Sequence, residues 1–197
     1  MITPEVAYWS TVQQARAIKE GRFSSRELLE LLIERESRIN ENLNAIVTLD
    51  LDRARLAADA ADEALATGRS YGPLHGIPVT IKDALETKGL RSTGGATELS
   101  DYVPNRDAPV VNAIKKAGAI VFGKTNLPRW SGDIQSFNEI FGTTVNPWNS
   151  ERVPIAPGLI SLLFNSIVSV LMPWAVLTAS LVAVLLKESL SLVLWMM

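Results

Sequence analysis

Apolar residues recur at helical spacing in the N-terminal part of the chain and predict three amphipathic helices. The first spans about residues 10–19. The second begins after Ser24, whose hydroxyl forms a capping-box pattern with the carboxylate of Glu27. The third is predicted to begin at Asp50, as its N-cap, and to end at Gly68. The apolar stripe of the second helix consists of Leu28, Leu32, Ile33 and Ile39.

Shorter apolar runs predict β-strands. Residues 45–48, 77–81 and 119–123 are rich in apolar and β-branched residues. Residues 113–117 have the composition of a helix end that Gly118 closes. A strand, a helix and a strand in this order predict an α/β fold. In this fold the N-terminal helices are followed by part of a mixed β-sheet flanked by helices.

The composition changes abruptly near Pro154. Residues 155–197 contain two charged side chains, Lys187 and Glu188, and 30 of these 43 residues are hydrophobic. The chain has 40 charged residues in total, so the preceding part holds nearly all of them. We therefore divide the chain into a globular part, residues 1–154, and a hydrophobic tail, residues 155–197, which is predicted to be helical.

The composition excludes several kinds of site. The 19 Lys+Arg and 21 Asp+Glu residues give a net charge of −2, so no basic excess is present for binding nucleic acid. The absence of cysteine excludes disulfides, cysteine–zinc sites and a thiolate nucleophile. His75 is the single histidine, which excludes a multi-histidine metal site. The first twenty residues lack the apolar segment of a secretory signal, and we expect residues 1–154 to be cytoplasmic.

Lys82 ends the apolar run of residues 77–81. At the end of a buried strand, loss of water disfavours the ammonium form and lowers the lysine pKa. A neutral lysine can act as a general base toward a serine hydroxyl. The carboxylate of Asp83 would instead keep Lys82 charged. A lysine at a strand end is also commonly a solvated surface group, so this local pattern alone leaves its role open.

Several motifs in unbroken order resemble the amidase signature family. A loop rich in glycine and proline leads into the strand and its lysine, and a glycine loop follows. A helix and a strand then end in Gly-Lys-Thr-Asn, and a later run ends in Asn-Pro-Trp-Asn. The segments that carry the resemblance are residues 72–83, 89–95, 102–108, 117–128 and 138–149.

The resemblance implies an amide hydrolase or amidotransferase with a Ser–cis-Ser–Lys triad, acting on the C–N bond of a small-molecule carboxamide. Lys82 matches the family's catalytic lysine and would be the general base. Ser131, Gly132 and Asp133 lie where the family has a loop that lines the substrate cleft. Backbone amides of a glycine–serine loop would stabilise the oxyanion. This chemistry implies neither a metal nor an organic cofactor.

The other polar and aromatic residues of these motifs are expected to be structural. His75 would fix the turn before the strand through hydrogen bonds. Lys124 and Asn126 would hydrogen-bond to loop backbone near the cleft. Trp130 and Trp148 are expected in the core or in the cleft wall.

The sequence departs from the family pattern after Pro154. The family continues with a glycine- and serine-rich run and then the nucleophile motif, whereas residues 155–160 read Ile-Ala-Pro-Gly-Leu-Ile. The serines further along lie among leucine and valine, and none matches either catalytic serine. A lysine base without its serines has nothing to activate. We therefore expect the 197-residue chain to have little or no amidase activity.

Three interpretations of the tail stay open. Residues 153–186 form 34 residues without a charge, more than the roughly 20 that span a bilayer. Residues 159–186 could therefore be a transmembrane segment. A frame shift or a mis-joined coding sequence would also replace family sequence abruptly at one point, and the third interpretation is a buried hydrophobic hairpin. The alternatives to an active enzyme are a catalytically inactive, membrane-attached protein and a non-enzymatic binding module, and the sequence predicts no oligomeric state.

Overall fold

A computed structural model describes residues 2–154 of the protein. A 3₁₀ turn, Pro4–Tyr8, precedes three helices, α1 (Thr11–Lys19), α2 (Ser25–Leu43) and α3 (Leu51–Ala66). The three helices predicted from the sequence are thereby confirmed. The predictions made for residues 155–197, including the membrane segment at residues 159–186, lie outside the described residues.

Capping boxes define where α1 and α2 begin. At α1, Ser10 Oγ accepts a hydrogen bond from the Gln13 N–H at 3.3 Å, and Gln13 Oε1 accepts one from the Ser10 N–H at 2.9 Å. At α2, Ser24 Oγ accepts from the Glu27 N–H at 3.0 Å, and Glu27 Oε2 accepts from the Ser24 N–H at 2.9 Å. Each box satisfies two backbone donors that the helix leaves without partners. The box predicted at Ser24 is therefore confirmed.

Asp50 precedes α3 as predicted, but its carboxylate makes no capping hydrogen bond. It forms an ion pair with Arg53 instead. The Asp50 N–H donates to the Phe122 carbonyl at 2.9 Å, which holds this residue to a neighbouring strand in a conformation outside the extended region that N-cap residues adopt. Asp50 is therefore the N-cap residue by position, as predicted, but its side chain does not cap the helix. At the other end Gly68 has a φ of 75°, the left-handed conformation expected of a glycine that follows a helix.

The three predicted strands form one mixed sheet. They are β1 (Ile46–Leu49), β2 (Pro78–Lys82) and β3 (Ile120–Thr125), in the spatial order β1-β3-β2. β1 is antiparallel to β3, and β2 is parallel to it. The helix α4 (Pro109–Lys116) lies in the connection between the two parallel strands, which gives the mixed α/β fold expected from the sequence.

A second, small sheet was not expected from the sequence. Its strands, β4 (Phe137–Asn138) and β5 (Gly142–Thr143), are antiparallel and contain two residues each. Runs of two residues are too short for any hydrophobic period to identify them.

The core lies where α2 and α3 pack against β3 and against each other. Alanine recurs along the buried side of α3, so this helix can approach its neighbours closely. The buried cluster at this contact consists of Leu29, Ala54, Ala58, Ala61, Ile120 and Phe122. Ile39, predicted to lie on the apolar stripe of α2, is 39% exposed, because the last turns of α2 extend past the part of the helix that contacts this cluster.

His75 ties the turn before β2 to α3. Its Nδ1 accepts a hydrogen bond from the Tyr71 N–H at 3.1 Å, and its Nε2 lies 3.1 Å from the Ala61 carbonyl, to which it donates in the matching tautomer. The side chain is buried. The structural role expected for His75 is confirmed.

The carboxyl ends of β2 and β3 lie side by side because these strands are parallel. Ile81 is in register with Lys124, and Lys82 with Thr125. In open α/β sheets, ligands bind outside the carboxyl ends of the strands. The carboxyl ends of β2 and β3 are therefore the expected position of a ligand-binding site. Within residues 2–154, no helix combines the length and the apolar character that crossing a bilayer requires.

Candidate functional site

Lys82 is the last residue of β2. The residue as a whole is half-buried, but its Nζ is inaccessible and has no hydrogen-bond partner among residues 2–154. Burial lowers the pKa of Lys82 below its usual value, because loss of water disfavours the charged form. Such an amine is neutral more often than an exposed lysine and can accept a proton. The environment is the one expected for a general base, and the catalytic role itself stays a prediction.

The neighbouring carboxylate of Asp83 is engaged with other residues. Asp83 Oδ2 accepts hydrogen bonds from the Thr93 N–H at 2.9 Å and from Thr93 Oγ1 at 2.5 Å. Asp83 Oδ1 lies 3.4 Å from Lys124 Nζ, an ion pair without hydrogen-bond geometry. Within the described part of the chain, Asp83 is thus the counter-ion of Lys124 and not of Lys82.

Lys124 is fully buried together with Asp83. Its Nζ donates hydrogen bonds to the Leu85 carbonyl at 2.9 Å and to Ser92 Oγ at 2.6 Å. Burial lowers the pKa of Lys124, and the Asp83 carboxylate acts in the opposite direction. The expected bond from Lys124 to loop backbone is confirmed. We refer to Asp83, Ser92, Thr93 and Lys124 as the buried polar cluster.

The glycine pair Gly94–Gly95 joins this cluster to the segment that precedes residues 131–133. Both glycines are left-handed, with φ of 61° and 66°. The Gly94 N–H donates to the Asp83 carbonyl at 3.2 Å, and the Gly94 carbonyl accepts from the Trp130 N–H at 2.8 Å. A Cβ at Gly95 would stand 3.2 Å from the backbone of Arg129. The close contact between these two backbone segments therefore requires a residue without a side chain.

Ser131 lines a cavity of about 300 Å³. Asp83, Ser92, Gly94 and Trp130 line the same cavity, so it borders the buried polar cluster. Trp130 and Ser131 have φ of 53° and 56°, a left-handed conformation that is uncommon for residues other than glycine. Backbone conformations of this kind are found more often at functional sites.

Gly132 and Asp133 are exposed and do not line that cavity. The Asp133 carboxylate accepts hydrogen bonds from the Ile134 N–H at 2.6 Å and from Gln135 Nε2 at 3.1 Å, which is a local turn. Lys82 is not among the residues that line the cavity either. Within residues 2–154, Ser131 is therefore placed beside the buried polar cluster, while Lys82 and residues 131–133 do not share one cavity.

The two tryptophans are exposed. Trp130 is 58% exposed and forms part of the cavity wall, so it does not lie in the core, and its place in the substrate cleft stays a prediction. Trp148 is 76% exposed, so it does not lie in the core of the described residues, and its place in a cleft wall stays a prediction. It lies in a turn in which its N–H donates to Asn146 Oδ1 at 2.9 Å, and this turn projects the side chain outward.

Asn126 and Asn138 form a second buried polar group next to the end of β3. Asn138 Nδ2 donates to Asn126 Oδ1 at 2.7 Å and to the Leu127 carbonyl at 2.8 Å. Asn126 Nδ2 donates to Thr144 Oγ1 at 3.0 Å and to the Gly142 carbonyl at 3.1 Å. These bonds hold the β4–β5 hairpin beside the end of β3, and they confirm the expected role of Asn126.

The pairing of Asp83 with Lys124 was not expected from the sequence, although a signal was present. Lys124 interrupts an apolar strand, and Asp83 directly follows the neighbouring parallel strand. Parallel pairing brings such positions together. Thr93, in contrast, carries no signal, because its contact with Asp83 depends on the conformation of the loop between them.

The model of the amidase family matches residues 27–156. The chain belongs to the Amidase family. The matched range contains Lys82, the buried polar cluster and residues 131–133, so the whole candidate site of this amidase-family chain lies inside it. The resemblance noted from the sequence motifs is confirmed.

The relatives of this amidase-family chain are longer than it is. Indoleacetamide hydrolase of Bradyrhizobium diazoefficiens is 42% identical over 144 residues, which cover 73% of this chain and 27% of the relative. A glutamyl-tRNA(Gln) amidotransferase subunit of Prochlorococcus marinus (strain MIT 9313) is 41% identical over 137 residues, or 70% of this chain and 28% of the relative. The structure of peptide amidase from Stenotrophomonas maltophilia matches with a TM-score of 0.70 and 28% identity, over 75% of this chain and 32% of that structure. The chain therefore spans less than a third of each.

Proposed function

We propose that this chain carries the lysine-bearing part of an amide-hydrolysing site, in which Lys82 is the general base. The observation that carries the proposal is the position of Lys82 Nζ, buried at the carboxyl end of β2 without a hydrogen-bond partner among residues 2–154. Burial lowers its pKa, which is the property that a lysine base requires. Membership in the Amidase family supplies the reaction class.

In the proposed mechanism, Lys82 accepts a proton from the middle serine of a Ser–cis-Ser–Lys triad. That serine in turn activates the nucleophilic serine, which attacks the carboxamide carbonyl. Backbone amides stabilise the oxyanion, and the C–N bond breaks as the amine leaves with the proton that Lys82 returns through the middle serine. Water then hydrolyses the acyl-enzyme ester, which releases the carboxylic acid and regenerates the serine. No serine after Pro154 matches either role. We therefore propose that the 197-residue chain alone releases little or no ammonia from amides, and that catalysis requires two serines that these 197 residues do not supply.

The proposed substrate is a small-molecule carboxamide. One relative is an indoleacetamide hydrolase, and a similar structure is a peptide amidase. An aromatic acetamide such as indole-3-acetamide is accordingly the first amide to test.

A chimera tests the role of Lys82. Residues 1–154 replace the matching N-terminal segment of the Bradyrhizobium indoleacetamide hydrolase, and ammonia release from indole-3-acetamide is measured. Lys82→Ala is expected to lower kcat/KM by roughly 10³-fold or more, because removal of one triad member disables the unit. The exposed Lys88 provides the matched control, Lys88→Ala, which is expected to leave the rate unchanged. An active chimera in which Lys82→Ala retains full activity overturns the proposal.

A second candidate is a catalytically inactive protein attached to a membrane, and the uncharged run of residues 153–186 favours it. Under the first proposal, residues 1–154 are cytoplasmic. Fractionation of cells that express the 197-residue chain distinguishes the two. Both candidates predict little or no ammonia release from this chain, so its location decides: retention in the membrane pellet after alkaline carbonate extraction supports the second candidate. Binding of an amide without turnover, measured by equilibrium dialysis, would indicate a binding module instead.

A further inference from the structure

Two lysines stand at the ends of neighbouring parallel strands, and within the described residues one has a counter-ion. Lys124 Nζ lies 3.4 Å from Asp83 Oδ1, whereas Lys82 Nζ has no hydrogen-bond partner there. We propose that Lys124 is a positioning residue for Lys82: it neutralises the Asp83 carboxylate and fixes the chain directly after Lys82, which leaves Lys82 without a counter-ion. This inference rests on the proposed role of Lys82.

The strand register separates the two lysines. Ile81 is in register with Lys124, so their side chains share a face of the sheet. Lys82, the next residue of β2, faces the opposite way. Asp83, two residues beyond Ile81, meets Lys124 on the shared face. Lys124 therefore attracts the carboxylate away from the side on which Lys82 lies.

The residue that follows Lys82 is held by its backbone and by its side chain. The Asp83 N–H donates to the Thr125 carbonyl at 3.0 Å, and the Asp83 carbonyl accepts from the Gly94 N–H at 3.2 Å. The carboxylate accepts two hydrogen bonds from Thr93 and pairs with Lys124. A chain fixed at this many atoms sets the direction in which the neighbouring Lys82 side chain leaves the backbone.

The charged groups on the elements around β2 have partners other than Lys82. On α2, Arg26 pairs with Glu30, and Glu27 caps the helix. In the loop after β2, Glu86 pairs with Arg106. On β3, Lys124 pairs with Asp83. The pKa of Lys82 is lowered by burial alone, so none of these charges offsets the effect of burial.

The contact between Lys124 and Ser92 is not a second serine–lysine catalytic pair. Lys124 Nζ lies 2.6 Å from Ser92 Oγ, but Ser92 Oγ donates its proton to the Leu90 carbonyl at 2.9 Å. Lys124 Nζ also donates to the Leu85 carbonyl, and the Asp83 carboxylate 3.4 Å away favours its ammonium form. A charged donor of this kind cannot accept the serine proton.

Competitive labelling of the full chain tests the proposal. Trace acetic anhydride reacts with neutral amines, and mass spectrometry of the peptide that contains Lys82 gives its rate at pH 8 relative to the exposed Lys19. In Lys124→Met the Asp83 carboxylate loses its cation and stabilises the Lys82 ammonium, so Lys82 labelling is expected to slow about tenfold. In Asp83→Asn the Lys124 cation has no counter-ion and disfavours the Lys82 ammonium, so Lys82 labelling is expected to become about threefold faster. The double variant is expected to stay within about twofold of the unchanged chain.

Lys116→Met is the matched control, because Lys116 is exposed and its loss is expected to leave Lys82 labelling unchanged. Circular dichroism establishes which variants fold. If Lys124→Met does not fold, Asp83→Asn and the double variant decide the outcome. Equal Lys82 labelling in the unchanged chain and in every folded variant overturns the positioning role. If the labelling rate of Lys82 in the unchanged chain depends on pH in the same way as that of Lys19, the general base is contradicted instead. The differences between variants still test the role of Lys124.

Discussion

The four side chains of the buried polar cluster include two buried charges of opposite sign. Asp83 and Lys124 are both fully buried, and breaking such a pair by removing one partner costs about 3–5 kcal/mol, because the other charge stays buried without compensation. Thr93 and Ser92 add the hydrogen bonds that a buried pair needs. The cluster therefore fixes the loop beside Lys82 as well as neutralising two charges.

Thr93→Val tests whether the hydrogen bonds of the buried polar cluster stabilise the fold. The change keeps the shape of the side chain but removes the hydrogen bond from Thr93 Oγ1 to Asp83, and it leaves the Gly95 N–H without its acceptor. The expected loss is about 1–3 kcal/mol in the free energy of unfolding, measured by urea denaturation. Thr97→Val is the matched control at an exposed threonine and is expected to change stability by less than about 0.5 kcal/mol. Equal stability of Thr93→Val and the unchanged protein would contradict a structural role for the cluster.

At this scale the sequence predicts the residues that end a regular pattern and misses those that meet through loops. The end of an apolar run makes Lys82 a candidate, and the family motifs around it point to its catalytic role. The contact between Asp83 and Thr93 depends on a turn with two left-handed glycines, which no period in the sequence encodes. The Asp50 side chain makes no capping hydrogen bond for a related reason, because a contact with β3 sets its backbone conformation.

At the scale of elements, α2 and α3 are joined by ion pairs as well as by the alanine contacts. The Arg55 and Arg26 guanidinium groups beside Glu30 lower the pKa of its carboxyl to about 2. Arg26 also pairs with Asp59, so charges of both helices form one network. The Glu30 side chain is 40% exposed, and solvent therefore screens much of this interaction.

The network predicts a dependence of stability on acid. The folded-state pKa of Glu30 lies below its unfolded value of 4.5, so its contribution is fully present above pH 4.5 and is lost as the pH falls toward 2. After allowance for screening, this contribution is about 1 kcal/mol. The loss of stability between pH 7 and pH 2.5, measured by urea denaturation, is expected to be smaller by about this amount in Glu30→Gln. Glu36→Gln is the matched control, because Glu36 has no ion pair among the described residues. An equal loss of stability between pH 7 and pH 2.5 in Glu36→Gln and Glu30→Gln would contradict the stabilising role of the Glu30 network.

The regular elements of the fold were predictable because their patterns extend over several turns or residues. Helices α1, α2 and α3 have a helical apolar period, and β2 and β3 are short apolar runs bounded by polar residues and glycine. The strands β4 and β5 have only two residues each and are held by Asn126 and Asn138 rather than by an apolar face. A polar network of this kind produces no hydrophobic period from which the strands could be predicted.

At the scale of the whole molecule, the described residues form one part of an amidase-type arrangement. The chain spans less than a third of the length of the relatives that it matches. Within residues 2–154, β1 and β2 are the edges of the larger sheet, and unpaired edges offer backbone groups to further strands. In our account, the proposed reaction requires two serines and oxyanion donors in addition to the residues described here, whereas the environment of Lys82 is already formed.

The most direct test of that claim is the titration of Lys82 itself. Nuclear magnetic resonance of the 197-residue chain with isotope-labelled lysine, with the Lys82 signal assigned from its absence in Lys82→Arg, gives the pKa of each lysine side chain. The account predicts that Lys82 titrates at clearly lower pH than the exposed Lys19, because its Nζ is buried without a hydrogen-bond partner among residues 2–154. Titration of Lys82 together with Lys19 would contradict it.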